Sequence, residues 1–235
     1  MKNNNKIYEK KAQLYPVILA MLIPFLLFFI AGANLLNTCE NLEQMWRFFI
    51  SIIPASLLTT ALGFGVKNLI RSTSKMLFQF PLFKEDETRM PSTEILMHTS
   101  ELLSCQNKQL IRNRIKEDFG LILMDEEQEK LDDREARMII VDAVKRIREK
   151  TRGNQILFNY NCNYGFVRNF MGANVWSLLI VTILMIINFL TPFTDNRIII
   201  GSLILVLLFF PLAFMLLKLN GREYARQLFT AYLEL

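Results

Sequence analysis

The chain has 235 residues, 52% of them hydrophobic and 21% charged, with a formal net charge of +5. The charges avoid long apolar blocks, and uncharged apolar runs of about 20 residues read as membrane spans before any fold argument begins. This distribution excludes a single soluble globule, and basic residues beside spans account for the positive balance better than a nucleic-acid surface does.

Residues 1–13 carry four lysines and read as a retained cytoplasmic N-terminus, because the apolar stretch after them is too long for a signal h-region. The first span is expected over 14–36, with Pro16 and Pro24 inside it and Tyr15 at the inner interface. A short outer loop, 37–46, leads to a second span at 47–66. That span carries Pro54 and the polar residues Ser51, Ser56, Thr59 and Thr60, and Gly63 and Gly65 would permit close helix approach. Lys67, Arg71 and Lys75 then form a cytoplasmic anchor.

A soluble insertion is expected over 67–174. Its opening, 75–83, is apolar and aromatic but too short to span, and is placed in the membrane interface or under the domain. Ser92 or Thr93 would cap a short helix over 94–103. A second helix over 106–119 stops at Gly120. The clearest helix follows Asp133, where Ala136, Ile139, Ile140, Ala143, Val144 and Ile147 make one apolar stripe. Its acidic start (125–135) and basic end (145–152) suit the helix dipole. The insertion is therefore a small helical domain with little or no sheet.

Residues 154–174 alternate asparagine with aromatic and other apolar residues and run into a third span at 175–190. A tight outer turn, 191–197, precedes a fourth span at 198–217. The tail, 218–235, is an amphipathic helix with Tyr224, Leu228, Ala231 and Tyr232 on one side. Beside the inner segments stand Lys2, Lys6, Lys10, Lys11, Lys67, Arg71, Lys75, Arg168, Lys218, Arg222 and Arg226, against Arg47 and Arg197 outside. The positive-inside rule puts both termini and the insertion in the cytoplasm.

Little in the chain carries chemistry. Asp125, Glu126, Glu127, Glu129, Asp132 and Asp133 have no histidine nearby and no calcium-loop spacing, so a solvated helix start explains them. Lys145, Arg146, Arg148, Lys150 and Arg152 read as a basic helix end near the membrane, with anionic lipid as the functional alternative. His98 would share a helix face with Glu94 and Glu101, but a lone histidine is more often a packing or surface residue. Cys39, Cys105 and Cys162 are scattered, without a disulfide framework. The span interiors hold no ionisable residue, which argues against ion-coupled transport. Ser51, Ser56, Thr59, Thr60, Thr182, Asn188 and Ser202 could line a passive pore or bond between helices. No cofactor and no metal is expected. The site expectation falls on the asparagine–aromatic strip: Asn159, Tyr160, Asn163, Tyr164, Phe166, Arg168 and Asn169. These residues are read as an interface or coupling strip, because buried asparagines need partners and the aromatic rings need apolar contact.

Three short motifs add a resemblance: P-S-T at 91–93, N-Y-G-F-V-R-N at 163–169 and Y-A-R-Q-L-F at 224–229. Together they resemble a family of uncharacterised bacterial membrane proteins with a proline–threonine motif, a YGF-x-RN motif before a span and a YA-x-x-LF tail. The likeness covers roughly 90–230 and implies no activity. The layout, four spans with a cytosolic insert, is also similar to membrane effectors of bacterial antiphage systems. The expectation is thus an all-α polytopic protein of the bacterial inner membrane, with four transmembrane helices in two hairpins and a cytosolic helical insert. Its segments are 1–13, 14–66, 67–174, 175–217 and 218–235. It is expected to be non-enzymatic and homo-oligomeric, with the lipid bilayer as one partner and a soluble cytosolic protein or small signalling ligand as another, and with nucleic acid disfavoured. The cytosolic domain would sense a signal or partner and the spans would respond, as a pore or antiphage effector; the alternative is a membrane anchor or scaffold that recruits a soluble partner.

Overall fold

The computed structural model describes residues 2–38 and 56–235. They form helices joined by turns, and no strand occurs among the described residues. The chain begins with α1 (Lys2–Tyr8), a π-helical stretch (Glu9–Leu14) and α2 (Tyr15–Thr38). After residue 55 come α3 (Ser56–Ser74), a second π-helical stretch (Lys75–Gln79) and α4 (Phe80–Phe83). Then follow α5 (Pro91–Glu94), α6 (Cys105–Phe119), α7 (Glu126–Leu131) and α8 (Asp133–Lys150). Two long helices, α9 (Gln155–Leu190) and α10 (Asn196–Leu233), complete the fold.

Among the described residues, three stretches are long and apolar enough to cross a membrane: Asn4–Gly32, Gln155–Leu190 and Asn196–Leu233. Much of the second expected span, 47–66, lies outside the described residues, and its far end belongs to α3. The asparagine–aromatic strip does not precede the third span as a separate segment; it is the first half of α9. At a rise of about 1.5 Å per residue, α9 and α10 are about 54 and 57 Å long, well beyond the roughly 30 Å of hydrocarbon.

The chain divides into two compact units, Met1–Lys75 with Phe166–Phe214, and Met76–Gly165 with Met215–Leu235. Both long helices have residues in each. In the first, apolar unit, Leu27, Val181, Leu184, Ile199 and Val206 form one buried cluster. Polar groups tie the helices within it. The Asn169 side-chain amide donates to the Ala12 carbonyl (2.6 Å), the Asn174 amide donates to the Val206 carbonyl (3.0 Å), and Trp176 Nε1 donates to Thr73 Oγ1 (3.2 Å). Interhelical bonds of this kind satisfy groups that lipid cannot. Asn188 binds the turn between α9 and α10: its Oδ1 accepts from the Phe193 and Thr194 backbone N–H groups (2.9 Å each), and its Nδ2 donates to Asn196 Oδ1 (2.9 Å).

At Gly172, α9 passes close to α3. A Cβ there would lie 2.0 Å from Ser74 Oγ and 2.6 Å from the Ile70 carbonyl oxygen. Gly65, expected to serve that purpose, has nothing within 4 Å of its Cβ position, so α3 packs close at Ile70 and Ser74 instead.

The second, polar unit has its core among Ile95, Leu96, Met97, Ile111, Ile115, the inner stripe of α8, and Ala225, Leu228, Phe229 and Tyr232 of α10. The end of α10 is therefore a core element and not a surface tail. Five of the six stripe residues of α8 are buried and Ile139 is half-buried. Ser104 Oγ caps α6 at the Asn107 N–H, and Gly120 ends that helix with φ of 66° in the left-handed region. Asp125 and Gln128 form a capping box at α7, and Asp132 caps α8.

Candidate functional site

The segment between α4 and α6 holds little regular structure, yet Ile95, Leu96 and Met97 within it are at most 2% exposed. The helix expected over 94–103 stops at Glu94. The reason lies in where the carbonyls go. Lys108 Nζ donates to the carbonyls of Met97 (2.9 Å), His98 (3.2 Å) and Ser100, and Arg112 donates to those of Leu96 (2.9 Å) and Met124 (2.6 Å). Side-chain donors thus take the backbone acceptors that a helix would have used.

Glu129 closes this clamp. It is 4% exposed, pairs with Arg112, and accepts the His98 backbone N–H at 2.8 Å. His98 Nε2 stands 3.9 Å from the same carboxylate. His98 therefore faces Glu129 and not Glu94 and Glu101, because the helix that would have aligned those three is absent. Glu94 pairs with Arg137 (2.8 Å), whose Nε also meets Asp133, and Arg148 pairs with Glu87 (2.8 Å) and donates to Ser92 Oγ (3.1 Å). Lys108, Arg112, Arg137 and Arg148 together pin the stretch 87–100. Burial pulls the Lys108 ammonium below its usual range.

These bonds change the reading of the charged runs. Glu129 is a buried ion-pair member, while Asp125 and Asp132 are helix caps. Within the basic end of α8, Lys145 meets Asp142 (3.3 Å), Arg148 meets Glu87, and Lys150 meets Asp118 (2.6 Å). Most of that charge is spent inside the unit, which weakens the anionic-lipid reading.

The seven strip residues fall into the two units. Asn159 and Asn163 are exposed, Tyr160 is half-buried and Tyr164 is buried, all in the polar unit; Phe166 is half-buried, and Arg168 and Asn169 are buried, in the apolar unit. In the polar unit the three sequence motifs meet. A Cβ at Gly221 would lie 3.2 Å from Pro91 Cγ and 3.6 Å from Tyr164 Cε2, so Pro91 and Tyr164 both pack against α10 just before 224–229. Thr93 Oγ1 donates to the Glu87 carbonyl (2.9 Å). In the apolar unit, Phe170 stacks with Phe166 at 6.4 Å and meets Phe209 edge-on at 5.6 Å.

Comparison with protein-family models, curated proteins and solved structures finds no match. Sequence reasoning missed the Lys108–Arg112–Glu129 clamp; the one available signal was the spacing of Lys108 and Arg112, which puts two cations on one helix face with Ile111 and Ile115. Among the described residues, no group of three or more histidine, cysteine, aspartate or glutamate side chains is placed to hold a metal ion.

A second polar cluster surrounds Tyr232. Its hydroxyl donates to Asp118 Oδ2 (2.7 Å), its ring stacks on Phe119 at 6.1 Å, and Arg114 donates to the Leu233 carbonyl (2.7 Å). Hydrogen bonds from Lys150 and Tyr232 hold the Asp118 carboxyl below the usual carboxylate range. A depressed carboxylate contributes stability that is present above its unfolded value, about pH 4, and lost as pH falls through the folded one. Acid titration of the wild-type protein should therefore show a loss of stability of the polar unit below about pH 4, followed by far-UV circular dichroism in increasing urea at each pH. Asp118→Asn should be less stable at pH 7 and should lose less on acidification.

Proposed function

We propose that this is a non-enzymatic membrane protein in which the polar unit receives a signal or partner and the candidate spans respond. The observation that carries the reading is that α9 and α10 each contribute to both units without leaving the helix. In this reading a change in the polar unit acts on the same two helices that are long and apolar enough to span. Four spans in two hairpins, an inner-membrane location with cytoplasmic termini, and a homo-oligomer that opens a pore or acts in antiphage defence belong to this proposal. A pore between copies is part of this reading; of its candidate lining residues, Thr182 and Ser202 bond to carbonyls of their own helices and Asn188 holds the turn between α9 and α10. Light scattering in detergent tests it: an oligomer is expected, and a strictly monomeric protein at all concentrations would count against a pore.

A scaffold that recruits a soluble partner is the second reading. Leu131 and Ile122 on the polar unit are 88% and 70% exposed and offer apolar side chains to such a partner. Stoichiometric co-purification of a protein that is lost in Leu131→Glu would favour it over the first.

A further inference from the structure

The polar unit is built from two separated stretches, and the second arrives only after the apolar run of α10. About 20 residues suffice to cross hydrocarbon, so α10 is long enough to span and still extend well beyond. The extension fills the core: Ala225, Leu228, Phe229 and Tyr232 are at most 1% exposed, and Phe229 and Tyr232 are among the largest fully buried side chains. They share one cluster with Ile111 and Ile115 of α6 and the inner stripe of α8. A small unit deprived of its two largest buried aromatic residues has too little core to offset the entropy of ordering its chain.

We infer that residues 221–233 are the closing element of the polar unit. The unit stays open while the chain lacks them and closes when they dock, so its folding reports that the whole of α10 has been made. Hydrogen bonds from the Tyr232 hydroxyl to Asp118 and from Arg114 to the Leu233 carbonyl latch the segment to α6.

Pulsed maleimide labelling of nascent chains on membranes tests this. Ala143→Cys places a thiol at a fully buried core position, and the exposed Cys105 in the same chain reports reagent access. With labelling read site by site, so that Cys39 and Cys162 do not contribute, the thiols at 105 and 143 should both label in chains arrested before residue 221 emerges; in the 235-residue chain the thiol at 143 should label at least about tenfold more slowly than Cys105, as expected for a site that opens only with the unit. In the complete chain, Phe229→Asp should restore fast labelling at 143. Protection at 143 in the shorter chains, or in the complete Phe229→Asp chain, overturns the inference. Should the cysteine itself open the unit, trypsin on the unsubstituted chain decides: cleavage at the buried Lys108 and Arg112 is expected in arrested chains and not in complete ones, and equal resistance in both overturns the inference.

Discussion

Gly172→Ala should destabilise the apolar unit by about 2 kcal/mol or more, the range for forcing extra atoms into a packed interior. On an open helix face the same change would gain about 1 kcal/mol through helix propensity. Here the steric term wins, because the added Cβ would sit 2.0 Å from Ser74 Oγ and 2.6 Å from the Ile70 carbonyl oxygen. The hydroxyl can be removed but the carbonyl cannot, so Ser74→Ala should rescue Gly172→Ala only in part. Gly201→Ala serves as the control, since nothing lies within 4 Å of its Cβ position, and it should leave stability unchanged or raised. Thermal unfolding in detergent, followed by loss of the monodisperse peak, separates the three variants.

Glu129→Ala should cost the polar unit about 3–5 kcal/mol, because it leaves the buried Arg112 guanidinium without its counter-charge. The His98 N–H loses its acceptor in the same step. Replacing both partners, as Arg112→Met with Glu129→Leu, should recover part of the loss, since an apolar pair of similar volume leaves no buried charge unpaired. The carbonyls of Leu96 and Met124 would still lack their Arg112 donor, so recovery should be incomplete. Tryptic cleavage at Lys108, which is 5% exposed in the wild type, reads the effect directly.

The local features were legible in the sequence. The α8 stripe, the Gly120 stop and the helical continuity of the apolar runs all follow from periodicity and from the backbone preferences of single residues. What sequence could not show depends on contacts between residues far apart in the chain. The 94–103 stretch has a helical pattern, but Lys108 and Arg112 draw off its carbonyls. Glu129 looks like one more solvated acid until Arg112 lies beside it. Nothing in the sequence around Gly172 marks it for close packing, and only the placement of Ile70 and Ser74 beside it does so. The strip from Asn159 to Asn169 has one composition, yet its residues belong to two units, because the helix that carries them passes from one to the other.

Transmission along α9 is the central claim, and hydrogen exchange tests it most directly. Glu129→Gln keeps the shape of the side chain but leaves Arg112 without its counter-charge, a disturbance of the polar unit more than thirty residues from the point where α9 enters the apolar unit at Phe166. Exchange measured by mass spectrometry in a membrane mimetic should be faster in the variant not only at 95–130 but also over 166–178. Faster exchange at 95–130 with an unchanged 166–178 segment would contradict the account.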